Sequence, residues 1–290
     1  MPLLASRPST PVSLPFWIRA VLALDRVPRP LARAVAAIRE EVLLAWVAPE
    51  RRHALTVALF DRQATYAPGG NTFNGGLFDW ERELLAHPIV PRSGRILLGG
   101  AGGGREIVAL RDLGYEVVAF EPAASLARAG ADAFSDVHGG SLVHASYEDF
   151  VRAVRGERNA LSNVVTSPFD ALMLGWGSIS HVMEDGDRSD ILRAMRSAAP
   201  NAPLLLSFDE PTVLEKPGGV LDRTRRVLRR LFALARAPGR VREGDRFVSW
   251  AGFFRESSAA DIKALARDAG YQVAFIGVKP GRAILVNVAP

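Results

Sequence analysis

Residues Arg95 to Pro122 read RILLGGAGGGREIVALRDLGYEVVAFEP, and no other stretch of the chain says as much about its fold. A short apolar strand runs into a glycine-rich turn, an amphipathic helix follows, and a second apolar strand ends in Glu121. Glycines belong where a strand hands over to a helix and a ligand touches the backbone, because a Cβ there would clash. A carboxylate at the tip of the next strand stands where a ribose diol is commonly gripped. Together these features imply an adenosine-type cofactor and leave its identity open.

The glycine spacing narrows the choice. A nicotinamide or flavin fingerprint is G-x-G-x-x-G, with the third glycine letting helix and strand pack closely. Counted from Gly100, that pattern meets Arg105 where the third glycine should be; counted from Gly99, it meets Ala101 in the second place. The arrangement that fits is G-x-G-x-G at Gly100, Gly102 and Gly104.

Downstream the pattern alternates. Strands are expected at about 95–99, 116–121, 141–145, 170–175 and 203–208, and helices at about 104–113, 123–133, 187–199 and 258–269. Ser258 with Asp261 forms a capping-box pattern, and Gly114 and Gly270 suit the position just past a helix end. Such β-α-β spacing implies a mostly parallel sheet covered by helices on both faces. The last twenty residues, YQVAFIGVKPGRAILVNVAP, instead read as strand, tight turn, strand. With no room for a crossover helix, these two strands must be antiparallel.

Upstream the chain reads as helical. Residues 1 to 15 are rich in Pro and Ser and are expected to be poorly ordered. From Phe16 to about Ala48 the pattern is helical with a break near Pro28 and Pro30, and Leu31, Val35, Ile38, Val42 and Trp46 recur at three- and four-residue steps. Another helix is expected over 50–64. The segment Tyr66 to Leu85, YAPGGNTFNGGLFDWERELL, reads as a glycine- and asparagine-rich loop followed by a helix from near Phe78.

Composition sets outer limits. A chain of 290 residues buries a sizeable core as one domain, or one domain with a lid. The absence of cysteine excludes disulfides, thiolate nucleophiles and cysteine-ligated clusters. The five histidines (His53, His87, His138, His144, His181) lack metal-ligand spacing, so no protein-held metal is expected. The net charge of +5, carried almost wholly by arginine, admits an acidic partner such as nucleic acid or a membrane surface. Arginines spread over a solvated surface are the simpler reading. The run Val42 to Ala48 is far short of the ~20 residues of a membrane span. Arg19, Asp25, Arg26 and Arg29 interrupt or follow the only candidate secretory segment, so a cytoplasmic protein is expected.

With its G-x-G-x-G turn in ILLGGAGGG and Glu121 in VVAFEP, the chain resembles the class I S-adenosylmethionine-dependent methyltransferases. The likeness continues in FDALMLGWGSISHV, APNAPLLLSF and SSAADIKALARDAGYQVAFI, and covers roughly residues 92 to 290. One departure is Leu98, where many members carry an acidic residue. The resemblance implies a Rossmann-like, mostly parallel seven-stranded sheet with an antiparallel C-terminal strand and a helical N-terminal lid. Residues 1–90 would form the lid and 91–290 the methyltransferase domain, with a basic helical insertion at about 215–245. The implied cofactor is S-adenosylmethionine, with S-adenosylhomocysteine as product.

By the same resemblance, Gly100, Gly102 and Gly104 leave room for the methionine and ribose moieties, and Glu121 accepts the ribose hydroxyls. Tyr147 and Glu148 match the region flanking the adenine; for Glu148 a solvated surface acid is an equal reading. Gly175 and Trp176 lie at the end of the fourth strand, where open α/β sheets bind ligands. Trp176 is read either as an aromatic neighbour of a sulfonium or as core. His181, on the loop after that strand, is the candidate general base or else a packing histidine. Asp209, with Glu210, is a second carboxylate option. Tyr66, Phe73, Asn74 and Trp80 are lid candidates, with packing of the lid onto the core the stronger reading for Phe73 and Trp80.

The segment LDRTRRVLRRLFALARAPGR forms a basic amphipathic helix. Leu221, Val227, Leu228, Leu231 and Leu234 make its apolar stripe, expected to face inward, with arginines on the other faces. These readings point to O- or N-methylation of a small molecule by an enclosed site, with a homodimer allowed and nucleic acid not expected as a partner. The alternatives are an RNA or protein methyltransferase docking through the basic helix, and a non-catalytic cofactor-binding protein of the same fold.

Overall fold

The computed structural model describes residues 15–22, 29–135, 139–211, 220–239 and 241–287. Strands covered on both faces need largely apolar runs; four such runs and the shorter edge strand GSLVH, in which only Leu142 is buried, form the parallel part of the sheet. They are β1 (Gly94–Gly99), β2 (Tyr115–Glu121), β3 (Gly140–His144), β4 (Ala171–Leu174) and β5 (Leu204–Phe208). Ahead of them come α1 (Phe16–Leu22), α2 (Arg29–Trp46), α3 (Pro49–Phe60), α4 (Asn71–Asn74) and α5 (Asp79–Ala86). The crossovers are α6 (Arg105–Asp112), α7 (Ala124–Phe134), α8 (Tyr147–Val154) and α9 (Asp185–Ala198). After β5 the chain forms α10 (Val220–Leu234), a hairpin of β6 (Asp245–Val248) and β7 (Gly252–Arg255), then α11 (Ala259–Asp268). It ends in β8 (Tyr271–Gly277) and β9 (Gly281–Asn287).

The main sheet has the order β3-β2-β1-β4-β5-β9-β8, and β9 runs antiparallel to both its neighbours. This is the mostly parallel, seven-stranded sheet with a reversed last strand that the resemblance implies. Strand order turns around between β1 and β4, which opens a crevice beyond their C-terminal ends. Glu121 and the glycine turn sit at that edge.

In this half of the molecule each expected strand and crossover helix lies within about two residues of its place, while the basic helix expected over 221–240 ends at Leu234. The Asp261 N–H donates to Ser258 Oγ and the Asp261 carboxylate accepts the Ser258 N–H at 2.8 Å, so the box that starts α11 is formed. Three elements were not foreseen. The helix α8 starts from an equivalent box, Ser146 with Asp149, and β6–β7 form a second, separate sheet.

The helical cover departs further from expectation. Residues 1 to 15, expected to be poorly ordered, lie outside the described residues except for Pro15, as does the break at Pro28, while Pro30 falls in the first turn of α2 as foreseen. The helix expected over 50–64 stops at Phe60, and a short 3₁₀ turn, Ala64–Tyr66, follows. On α2 Ile38 and Trp46 of the recurring set are exposed, and the buried face runs through Glu40, Glu41, Leu43 and Leu44. The cause is charge. Glu41 takes Arg229 at 2.7 Å, and Glu40 takes Arg246 at 2.6 Å and Arg225. Buried carboxylates are tolerable only when paired, and these partners come from far along the chain. The same pairs turn α10 round: Arg225 and Arg229 face α2, whereas Val227, Leu231 and Leu234 face outward. The side chain of Leu221 lies outside the described residues.

Candidate active site

The glycine turn follows β1 and is built by backbone that only glycine adopts without strain: φ is +71° at Gly100, +55° at Gly102 and +92° at Gly104. A Cβ on Gly100 would stand 2.7 Å from Ser178 Cβ, while one on Gly102 would meet nothing nearer than Tyr66 Cβ at 4.0 Å. Gly102 therefore faces open space. Across the turn, Glu121 Oε2 accepts the Gly102 N–H at 2.8 Å and Oε1 accepts the Ala123 N–H at 2.8 Å. Each carboxylate oxygen keeps lone-pair capacity for a further donor. Burial raises the Glu121 pKa to about 7 despite those two backbone bonds, and the charges of Glu106 and Asp61 add to the rise.

Turn and carboxylate open into a cavity with about 1130 Å³ of atom-free space, its mouth included. Its far wall comes from the ends of β4 and β5. His181 closes a 3₁₀ turn, Ser178–His181, entered through Gly177. Its Nδ1 lies 2.9 Å from the Phe253 carbonyl oxygen. Only an N–H can serve there, so the partner assigns the proton to Nδ1 and leaves Nε2 an acceptor. The ring is packed edge-on by Phe60 at 5.2 Å and by Phe254 at 6.2 Å. Burial lowers its pKa to about 4, against the Phe253 bond, so the ring is neutral near pH 7.

Asp209 follows β5 and reaches the same space; its backbone N–H donates to Ser180 Oγ at 3.0 Å. Burial raises its pKa to about 6, opposed by a bond from Ser180. The Tyr147 hydroxyl is 2.7 Å from Ser178 Oγ, and burial pushes the phenol well above its usual range. Trp176 is half-exposed at the cavity wall, its ring edge-on to Phe78 at 4.8 Å, and Phe78 stacks on the buried Trp80 at 6.3 Å.

The structure thus brings Gly100, Gly102, Glu121, Tyr147, Trp176, His181 and Asp209 to one cavity, together with Tyr66 and Phe73 of the lid. Six expected residues stand outside its wall; one, Glu210, accepts the Lys279 N–H. Gly104 caps α6, and its missing Cβ makes room for the Phe134 ring. Gly175 lies behind the turn, its N–H on the Gly99 carbonyl at 2.8 Å. Glu148 is a surface acid paired with Arg152 at 2.7 Å. Asn74 is exposed and donates to the Gly69 carbonyl at 3.2 Å. Trp80 packs the lid onto the sheet's core.

Other wall residues escaped the sequence reading. Arg105 donates to the Gly76 carbonyl at 2.6 Å and to both Glu81 oxygens at 2.6 and 2.7 Å. It also donates to Glu106 at 2.6 Å, and its guanidinium lies over Phe78 at 4.2 Å. It latches the lid to the glycine turn, an arrangement its sequence position shows only as the breach of a dinucleotide fingerprint. The Gly103 N–H adds a bond to the Tyr66 carbonyl at 3.2 Å. His53, Thr56 and Phe60 of α3, with Trp250, Ala251 and Phe254 of the β6–β7 hairpin, complete the roof. RFVSWAGFF does carry a hairpin signal, two aromatic-rich runs about a short turn. Among the described residues no group of three or more His, Asp or Glu could hold a metal ion, and no helix is long and apolar enough to cross a membrane.

No protein-family model and no curated protein sequence matches the chain. Solved structures do resemble it in shape. A SAM-dependent methyltransferase from Methanosarcina mazei superposes with a TM-score of 0.51 at 14% identity, over 74% of this chain and 100% of that one. The sugar N-methyltransferase KedS8 from Streptoalloteichus sp. ATCC 53650 gives 0.48 at 14% identity, over 73% and 86%. The O-methyltransferase NcsB1 from neocarzinostatin biosynthesis gives 0.42 at 17% identity, and there the match spans 49% of that chain and 67% of this one. The chain has the fold of the class I S-adenosylmethionine-dependent methyltransferases.

Proposed function

We propose that this protein is an S-adenosylmethionine-dependent methyltransferase acting on oxygen or nitrogen of a small, largely apolar molecule. The observation that carries the reading is that the glycine turn, the buried Glu121 and His181 with its free Nε2 all open into one cavity. Gly102 presents backbone to open space, and Glu121 has acceptor capacity for two ribose hydroxyls, so the residues present fit an adenosine. The cofactor, when bound, supplies an already activated methyl group, and the protein's task is then position and desolvation. Aromatic side chains from the cover, Phe60, Trp250 and Phe254, favour a flat or apolar acceptor, and Arg105 holds the lid against the turn.

His181 is a neutral acceptor near pH 7. A hydroxyl oxygen that gains a bond to carbon becomes a strong acid, so even a weak, correctly placed base takes its proton. Asp209 is positioned to hold the acceptor's polar group. A neutral amine acceptor would need the cavity alone and no base.

The test is calorimetry followed by turnover. Micromolar binding of S-adenosylmethionine and S-adenosylhomocysteine is expected, and methyl transfer to a panel of phenols and amines read by mass spectrometry. No binding of either would refute the proposal; binding without transfer to any acceptor would favour the non-catalytic reading.

A further inference from the structure

The helix α10 carries two unlike faces. Toward α2 it presents Arg225 and Arg229, paired with Glu40 and Glu41, and Phe232, whose ring meets Trp46 edge-on at 6.4 Å. Away from α2 stand Val227, Leu231 and Leu234, which are 55%, 53% and 81% exposed. Their spacing of four and three residues places them in one stripe. Arg223, Arg226 and Arg230 are exposed alongside it, and the sequence from Arg223 to Leu234 holds no acidic residue. A solvated helix turns its charges out and its leucines in. Here two buried carboxylates draw arginines inward, and aliphatic side chains bordered by cations remain outside.

We propose that α10 docks this protein in the surface of an anionic lipid bilayer, with Val227, Leu231 and Leu234 entering the acyl boundary and the flanking arginines meeting the phosphates. Charge complementarity selects this occupant. A helix with an apolar edge and a basic edge lies in the membrane plane and binds through both terms. A second copy of the chain would set the same basic stripe against itself across a two-fold axis, and each copy carries a net charge of +5. The half-exposed Trp46, beside Phe232, is a residue type that suits the headgroup level. The inference is independent of the methyltransferase reading, because no described side chain of α10 lines the cavity.

The test is flotation of the full chain with vesicles of phosphatidylcholine alone and with phosphatidylglycerol added. Binding is expected to the anionic vesicles only, weakening as salt rises. Arg223→Gln with Arg230→Gln should lower the partition coefficient about 30-fold, at about 1 kcal/mol for each lost cation and tenfold for each 1.4 kcal/mol. Leu231→Ser with Leu234→Ser should lower it separately. Both pairs change exposed positions, and an unchanged melting temperature confirms that the variants fold. No flotation of the wild-type chain, or equal flotation with neutral vesicles, overturns the proposal. So does a wild-type dimer, seen by sedimentation, that the serine variant splits: the stripe would then belong to a second copy.

Discussion

Around Leu97, Phe120, Leu172 and Leu204 the sheet buries aliphatic and aromatic side chains, whereas around Glu40, Arg52 and Asp245 the cover buries carboxylates and guanidiniums. Arg52 is 1% exposed, donates to the Leu44 carbonyl at 2.7 Å and faces Asp245, which also takes Arg255 at 2.9 Å. Both regions exclude water, but they do so by different physics. Apolar burial asks only that a residue be hydrophobic and of suitable size. Ionic burial asks for a specific partner in a specific place, because an unpaired charge there costs several kcal/mol. The sheet therefore supplies a scaffold that tolerates change, and the cover supplies a lid held at chosen points.

His181 sits on the seam: its backbone belongs to the loop after β4, and its ring is oriented by the Phe253 carbonyl of the cover. If it is the base for an oxygen acceptor, His181→Asn should lower kcat by about 10²- to 10⁴-fold while the dissociation constant for S-adenosylhomocysteine stays within twofold. Unchanged kcat would make it a packing residue and the seam merely structural. Next in size, Asp245→Asn leaves Arg52 and Arg255 facing each other in the cover and should cost about 3–5 kcal/mol in urea unfolding. Leu97→Ala in the sheet should cost about 2–5 kcal/mol. A much smaller loss for Asp245→Asn would break the comparison, since the cover would then not depend on its ion pairs.

Glu121→Gln keeps the shape at the strand end and removes the charge. It should weaken cofactor binding by about 1–3 kcal/mol, the scale of charge-assisted hydrogen bonds, with isothermal titration as the readout. The smallest effect is one of pH. Burial holds the Glu121 pKa near 7, so in the ligand-free protein this group relieves the folded state as pH falls from 7 toward 4.5. Ribose hydroxyls favour the charged form, so cofactor affinity should fall below pH 7, by up to about tenfold per unit. His181 stays neutral until pH nears 4, so kcat should be flat where affinity already declines. A pH-independent dissociation constant between 5 and 8 would count against the ribose role.

How much of this was legible in the chain follows the same division. Strand runs such as VVAF and LLLSF, the caps at Ser258 and Gly270, and the glycine turn act locally, and each appears where its residues place it. The stripe on α10 was read the wrong way round because Glu40 and Glu41 meet Arg225 and Arg229 only after the chain has folded. Glu148 and Asn74 sat close to the right loops yet point to solvent, a matter of which helix face is covered. Arg105 was visible only as a residue that spoiled a motif.

Taken alone, the sequence determined the sheet, its reversed last strand, and the turn at Gly100, Gly102 and Gly104 with Glu121 beside it. These depend on backbone conformation and short-range hydrophobic pattern, which neighbouring residues set. Only the tertiary structure decided which side chains wall the cavity, which faces of the cover turn inward, and where the charges of α10 end up. Those outcomes depend on pairings across roughly two hundred residues of chain, such as Arg52 with Asp245 at a separation of 193, and no local periodicity encodes them.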